Sequence, residues 1–229
     1  MQEVCAEEGV TVKTAMFADI NGISMGQRDA MLANGVEFLY TNIHTHHGMY
    51  PLYQNQKPYF WENEDGKRLL VWSGEHYNLG NALGIVFNKN VNFMTENYFG
   101  KAQGDVAGPL EKLYSNLTAS MEEYEENGYP YDFYITSVSG VFSDNAPINP
   151  AIADTVALFN EKYGEEVTMR MVTLQELYDL IRDKVADAPV YRGAINDWWG
   201  NGVGSTPYAV KHYNCLLYTS PSPRDRTRS

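Results

Sequence analysis

The residues of this chain with chemistry to offer are a few carboxylates and a run of histidines. Asp19 stands in AMFADINGIS, and His44, His46 and His47 in NIHTHHG. Glu75, His76 and Tyr77 stand in SGEHYNLG, and Asp144 in GVFSDNAP. Two carboxyl groups facing one bond can divide nucleophilic attack and proton transfer between them. His44 and His46 share a face if the backbone is extended, which suits two metal ligands and equally suits satisfied structural histidines. Glu75 and His76 serve equally as site groups or as a strand-end ion pair. Asp144, ahead of Asn145-Ala146-Pro147, serves equally in catalysis or in opening a turn. The most specific string is Asp197-Trp198-Trp199-Gly200-Asn201-Gly202-Val203-Gly204-Ser205-Thr206-Pro207. Glycines let backbone approach a ligand, and adjacent indoles offer flat apolar faces for sugar rings. A Trp pair buried under a loop is the alternative.

These groups need elements to hold them. Thr11 to Ala18 is β-branched and apolar and reads as a strand. Ser24 with Gln27 three residues on is a capping-box pair that opens a helix, and Asn34-Gly35 closes it. Val36 to Ile43 is the next strand, so strand, helix and strand form a βαβ unit with parallel strands. Lys67 to Ser73, Tyr131 to Ser139 and Val167 to Val172 are read as further strands. Leu110, Leu113, Leu117, Met121 and Tyr124 recur at helical spacing up to Gly128. Ile152, Val156, Phe159 and Tyr163 mark another helix before Gly164, and Thr173 with Glu176 caps one carrying Leu174, Leu177, Leu180 and Ile181. Alternating strands and helices predict an α/β domain with a mainly parallel sheet, open or closed as a barrel. Ligands gather at the carboxyl ends of such strands, and Asp19, His44, His46, His47, Glu75, His76 and Asp144 all follow a predicted strand. Asn78 to Gly108 reads as a long excursion over the site.

Composition limits the partners. The chain has 229 residues, with 29 acidic and 17 basic side chains and a formal charge of −12. Phosphate backbones are gripped by Lys and Arg clusters, which its main body lacks, so a nucleic-acid partner is not expected. No apolar run reaches the length of a membrane span. Cys5 and Cys215 give neither a zinc-finger spacing nor a disulfide framework.

Both ends stand apart. Met1 to Gly9 reads as the tail of a helix stopped by Gly9, a pattern of domain interiors. Cys215 to Ser229 (CLLYTSPSPRDRTRS) resembles the in-frame translation of a transposase mosaic-end sequencing adapter, which covers Cys215 to Asp225 without a mismatch. The expectation is a native domain over residues 1–214 and a non-native, disordered tail over 215–229.

The chain resembles the N-terminal catalytic domain of glycoside hydrolase family 38, the retaining α-mannosidases, in a divergent bacterial form. The family's nucleophile lies in a strand-end motif of the type D-P-F-G-H-S. Asp19-Ile20-Asn21-Gly22-Ile23-Ser24 occupies that place, with Pro, Phe and His replaced. The family's H-Y-W-S-G-Y segment, ending S-R-P, is matched by Asp197-Trp198-Trp199-Gly200 through Ser205-Thr206-Pro207, with Asp197 in the position of a metal-binding His. The resemblance implies an incomplete (β/α) barrel acting on a carbohydrate, with Asp19 as nucleophile and metal ligand and Asp197 as a further ligand. Asp144 is nearest by order to the family's acid/base. His46, His47, Glu75, His76, Tyr77, Trp198 and Trp199 would contact the sugar. The implied metal is zinc, with calcium or manganese also suited to an all-carboxylate set. The family's first-strand His-x-Asp metal pair is absent, so the fragment is expected to be inactive by itself. Two other functions fit the same residues: a metal-dependent carbohydrate deacetylase, using His44 and His46 with Asp19, and a non-catalytic carbohydrate-binding relative.

Overall fold

The computed structural model describes residues 2–18, 20, 22–42, 51–53, 55–86, 110–138, 150–196 and 207–219. In chain order the elements are α1 (Gln2–Glu7), β1 (Thr14–Ala18), β2 (Gly22–Ile23), α2 (Met25–Ala33) and β3 (Phe38–Asn42). After a 3-10 turn (Pro51–Tyr53) come β4 (Lys57–Glu62), β5 (Arg68–Gly74), α3 (Leu79–Leu83) and α4 (Leu110–Glu126). The chain continues through α5 (Ala151–Tyr163), α6 (Leu174–Ile181), β6 (Val190–Tyr191), β7 (Ile195–Asn196) and α7 (Pro207–Thr219). Among the described residues this is an α/β fold with a five-strand, mostly parallel mixed sheet in the order β1-β3-β5-β4-β6 and seven helices. β2 and β7 form a separate antiparallel pair.

The βαβ expectation holds: β1 and β3 are parallel neighbours joined through α2. The Ser24 hydroxyl accepts the Gln27 N–H while the Gln27 side chain accepts the Ser24 N–H, the reciprocal bonding expected of a capping box. Thr173 and Glu176 do the same for α6. Gly35 and Gly128, read as helix stops, both take the positive φ that glycine tolerates.

Side chains alternate across the sheet, and each set meets its own cover. Leu39, Tyr59, Trp61, Leu69 and Val71 bury one face with Val36, Ile23 and Ile195, against Met31 and Leu32 of α2. Phe38, Tyr40, Leu70 and Trp72 bury the other with Ile135, Ile181 and Val185, against Leu174, Leu177 and Tyr178 of α6. β3 is buried at every position, as a parallel strand covered on both faces must be. A third cluster joins α3, α4 and α5 through Leu83, Leu113, Leu117, Ile152 and Phe159. Arg28 of α2 is buried over the Trp61 ring and donates to the Glu62 carbonyl at 2.8 Å, tying that helix to the end of β4.

Two of the strands read from sequence are not strands. Residues 131–138 pair with no described strand; Tyr131, Phe133 and Ile135 instead lie on the sheet's Phe38–Trp72 face. The place beside β5 is taken by β4, which the alternation alone did not reveal. It reaches β5 through a tight Asn63–Gly66 turn, and this local hairpin forms at less cost in chain entropy than a distant strand would. Residues 167–172 are likewise unpaired. There the Asn160 side chain replaces a strand partner, donating to the Met169 carbonyl and accepting its N–H, both at 2.8 Å. At the other end, Cys215 to Thr219 lie within α7. Residues 220–229 lie outside the described residues.

The doubly covered sheet makes a stability prediction. Leu39→Ala, at a fully buried site, lowers unfolding free energy by about 2–5 kcal/mol, whereas Met16→Ala on the more exposed edge strand changes it by about 0.5 kcal/mol or less. Urea denaturation of the two variants checks the contrast.

Candidate functional site

β1, β3 and β5 run in parallel and in register, so Ala18 lies beside Asn42 and Asn42 beside Gly74. Three strand carboxyl ends therefore share one rim. In the chain, Asp19 follows β1 directly, the His44–His47 run follows β3, and Glu75 follows β5.

The described part of this rim is a polar cluster built around Asn42 and Glu75. The polar character of Asn42 ends an otherwise apolar run, and its period-2 position puts it on the same face as Tyr40. Its amide nitrogen donates to the Glu75 carbonyl at 2.5 Å and to the Tyr40 hydroxyl at 3.2 Å, with the Ser137 hydroxyl at 3.5 Å. Gly74 makes this approach possible: a Cβ there would stand 2.8 Å from the Tyr40 oxygen and 3.0 Å from the Asn42 nitrogen. The Asn42 side-chain oxygen Oδ1 is buried, and no described residue donates to it.

Glu75 is half-buried. The Asn55 side-chain amide nitrogen donates to its Oε2 at 2.5 Å, and the Asn55 side-chain oxygen Oδ1 accepts the Gln56 backbone N–H at 2.8 Å. Gln56 sits under this pair, almost wholly buried. Its amide donates to the Ile135 carbonyl at 2.7 Å and accepts from the Trp72 indole at 3.2 Å. Its φ of 51° is left-handed, a conformation that costs a residue other than glycine about 1–3 kcal/mol and that surrounding bonds must enforce. Burial pushes the Glu75 carboxyl above the usual glutamate range, and the Asn55 hydrogen bond partly opposes that. Tyr134 is also pushed up, first by burial; the Ser120 hydroxyl pulls the other way, and the nearby Glu75 charge adds to the rise.

The contrast with Glu62 is instructive. That carboxylate is bracketed by Arg68, at 2.7 Å, and by Arg192, and the hydrogen bond from Arg68 leads in holding it below the usual range. Among the described residues no Lys or Arg pairs with Glu75, which is held by a neutral amide.

Of the residues picked out in the sequence, Glu75, His76 and Tyr77 are placed. All three follow β5 at the shared rim. The His76 ring packs on Tyr77, with centroids 4.3 Å apart, and its Nδ1 accepts the Asn78 N–H at 3.2 Å. The Glu75 carboxyl is held by Asn55. Asp19, His44, His46, His47, Asp144, Asp197, Trp198 and Trp199 lie outside the described residues. Sequence reasoning missed Asn42, Asn55, Gln56, Tyr134 and Ser137. The one signal was a polar residue ending the apolar run of β3. Asn55 and Gln56 lie just ahead of β4, the strand that was not foreseen.

Among the described residues no group of three or more His, Cys, Asp or Glu side chains could hold a metal ion. Compared with known proteins, the chain matches no protein-family model, and no curated protein is significantly similar to it.

Glu75 yields a signed prediction. With its pKa raised on folding, the folded state binds more protons than the unfolded one between the two values. Stability therefore falls as pH rises through that window and stays reduced above it. Glu75→Gln, which cannot ionise, is expected to be more stable than the wild type at neutral pH and equal to it below the ordinary glutamate range. Denaturation midpoints from about pH 4 to about pH 8 check this.

Proposed function

We propose that this chain carries the site of a retaining glycosidase of the α-mannosidase type, on a (β/α) barrel to which the five-strand sheet belongs. The observation that supports it most is the shared rim: Ala18, Asn42 and Gly74 lie side by side, and Asp19, the histidine run and Glu75 come next in the chain. Carboxylates delivered by several strand ends to one rim are what barrel hydrolases use. The half-buried Glu75, held without a cation, adds a hydrogen-bonding group suited to a neutral polyhydroxylated ligand.

The chemistry follows from two carboxyl groups about 5–5.5 Å apart. An Asp19 oxygen attacks the anomeric carbon as the glycosidic C–O bond breaks, and the Asp144 carboxyl gives its proton to the leaving oxygen. The Asp144 carboxylate then takes a proton from water, whose oxygen attacks the same carbon and releases Asp19. Trp198 and Trp199 offer stacking faces to the sugar, and His46, His47, Glu75, His76 and Tyr77 bond its hydroxyls. The described residues do not by themselves assemble a metal site. Asp19 and Asp197 are the side chains proposed to hold a divalent ion, zinc by the resemblance with calcium or manganese as alternatives, which would anchor ring hydroxyls and offset charge. The acidic balance of the chain gives nucleic acid little to bind. No helix among the described residues is long and apolar enough to cross a membrane.

The test is hydrolysis of an aryl α-mannoside by the full-length protein. Asp19→Asn is expected to abolish turnover and the covalent adduct formed with an activated fluoro-mannoside, and Asp144→Asn to lower turnover of unactivated substrates by about 10²–10⁴-fold. Undiminished hydrolysis by Asp19→Asn would contradict the assignment.

A further inference from the structure

The carbohydrate reading leaves open what sets the pose of Glu75, and the structure holds a device for it. The carboxyl has two oxygens. Asn55 takes Oε2, and no described residue engages Oε1. Asn55 is itself fixed, because its side-chain Oδ1 accepts the Gln56 backbone N–H and so fixes which way its side-chain nitrogen points. Gln56 is fixed in turn by Trp72 and Ile135, deep in the core, with its backbone in the left-handed region. A chain of hydrogen bonds thus runs from a core indole to a half-buried carboxyl at the strand-end rim. Beside it lies the buried Asn42 side-chain oxygen Oδ1, to which no described residue donates.

A purely structural carboxylate in this protein is treated differently. Glu62 is closed off by two arginines, which engage both of its oxygens. Glu75 is oriented by one neutral amide and keeps an oxygen for another partner.

Resting on the carbohydrate reading, we infer that Asn55 is a positioning residue, locked by Gln56, that presents the Oε1 atom of Glu75 to a hydroxyl group of a bound sugar. A sugar hydroxyl both donates and accepts, so it can pair with this group whether or not the carboxyl carries a proton. An amide in the same place can also serve, with its oxygen on Asn55 and its NH₂ on the sugar.

Methyl α-mannoside titrated into the 229-residue chain tests this, with Glu carboxyl carbons labelled for NMR and affinities measured calorimetrically. In the wild type the sugar is expected to shift the Glu75 carboxyl signal and the Asn55 amide signals together, a result that needs no variant to fold. Asn55→Ala is expected to bind about tenfold more weakly, the scale of a hydrogen bond to a charged group. Glu75→Gln is expected to bind within about threefold of wild type and Glu75→Ala to bind weakly, each with an amide spectrum of the folded protein. Binding by Asn55→Ala at wild-type strength overturns the inference. So does a sugar that leaves the Glu75 signal unmoved; if Asp19 still forms its adduct in the full-length protein, the glycosidase reading survives that failure. A Glu75 response without any Asp19 adduct keeps the inference and removes the glycosidase. Absence of both removes both.

Discussion

Everything at the rim depends on β3 being buried on both faces. Leu39 faces Val71 and Trp61 on one side, and Phe38 and Tyr40 face Leu70 and Trp72 on the other. Because side chains alternate with a period of two, sliding β3 by one residue would exchange these sets and expose or unpair most of them. Register is therefore fixed by packing rather than by hydrogen bonds alone. Fixed register is what aligns Ala18, Asn42 and Gly74 at one rim.

The same packing explains how a polar cluster survives next to a dry core. Trp72 belongs to the core but has an indole N–H to satisfy, and Gln56 meets that need at almost no exposure. The other end of the Gln56 amide bonds the Ile135 carbonyl, which residues 131–138 leave free because they form no ladder. The buried Gln56 side-chain amide thus satisfies a core indole and an unladdered carbonyl, while the backbone N–H of the same residue holds the Asn55 side chain. Half-satisfied buried networks destabilise a fold, so the fixed geometry here follows from the bonds being made. Glycine at position 74 completes the arrangement by leaving room for the Tyr40 and Asn42 side chains.

Much of the fold was legible in the sequence where local signals agreed. The two capping boxes, the glycine stops at Gly35 and Gly128, and the parallel β1–β3 unit each rest on short-range chemistry. Legibility failed where non-local competition decided. Tyr131 to Ser139 has β-branched and aromatic residues, but β4 occupies the place beside β5, so the aromatic residues of 131–138 cover a face instead. β4 itself carries Pro58 and charged ends, which weaken its alternation. At the site, Glu75 was visible because it follows a clear strand. Asn55 and Gln56 were not, since an amide on a turn has no signature until its partners are known.

The rim formed by β1, β3 and β5 is proposed to be a sugar-cleaving site. A crystal structure of the protein with a bound mannoside tests it most directly. The sugar is expected at that rim, with Glu75 within hydrogen-bonding distance and the Asp19 and Asp144 carboxyl groups about 5–5.5 Å apart across the anomeric carbon. A sugar seated elsewhere, or carboxyl groups more than about 10 Å apart, would contradict it.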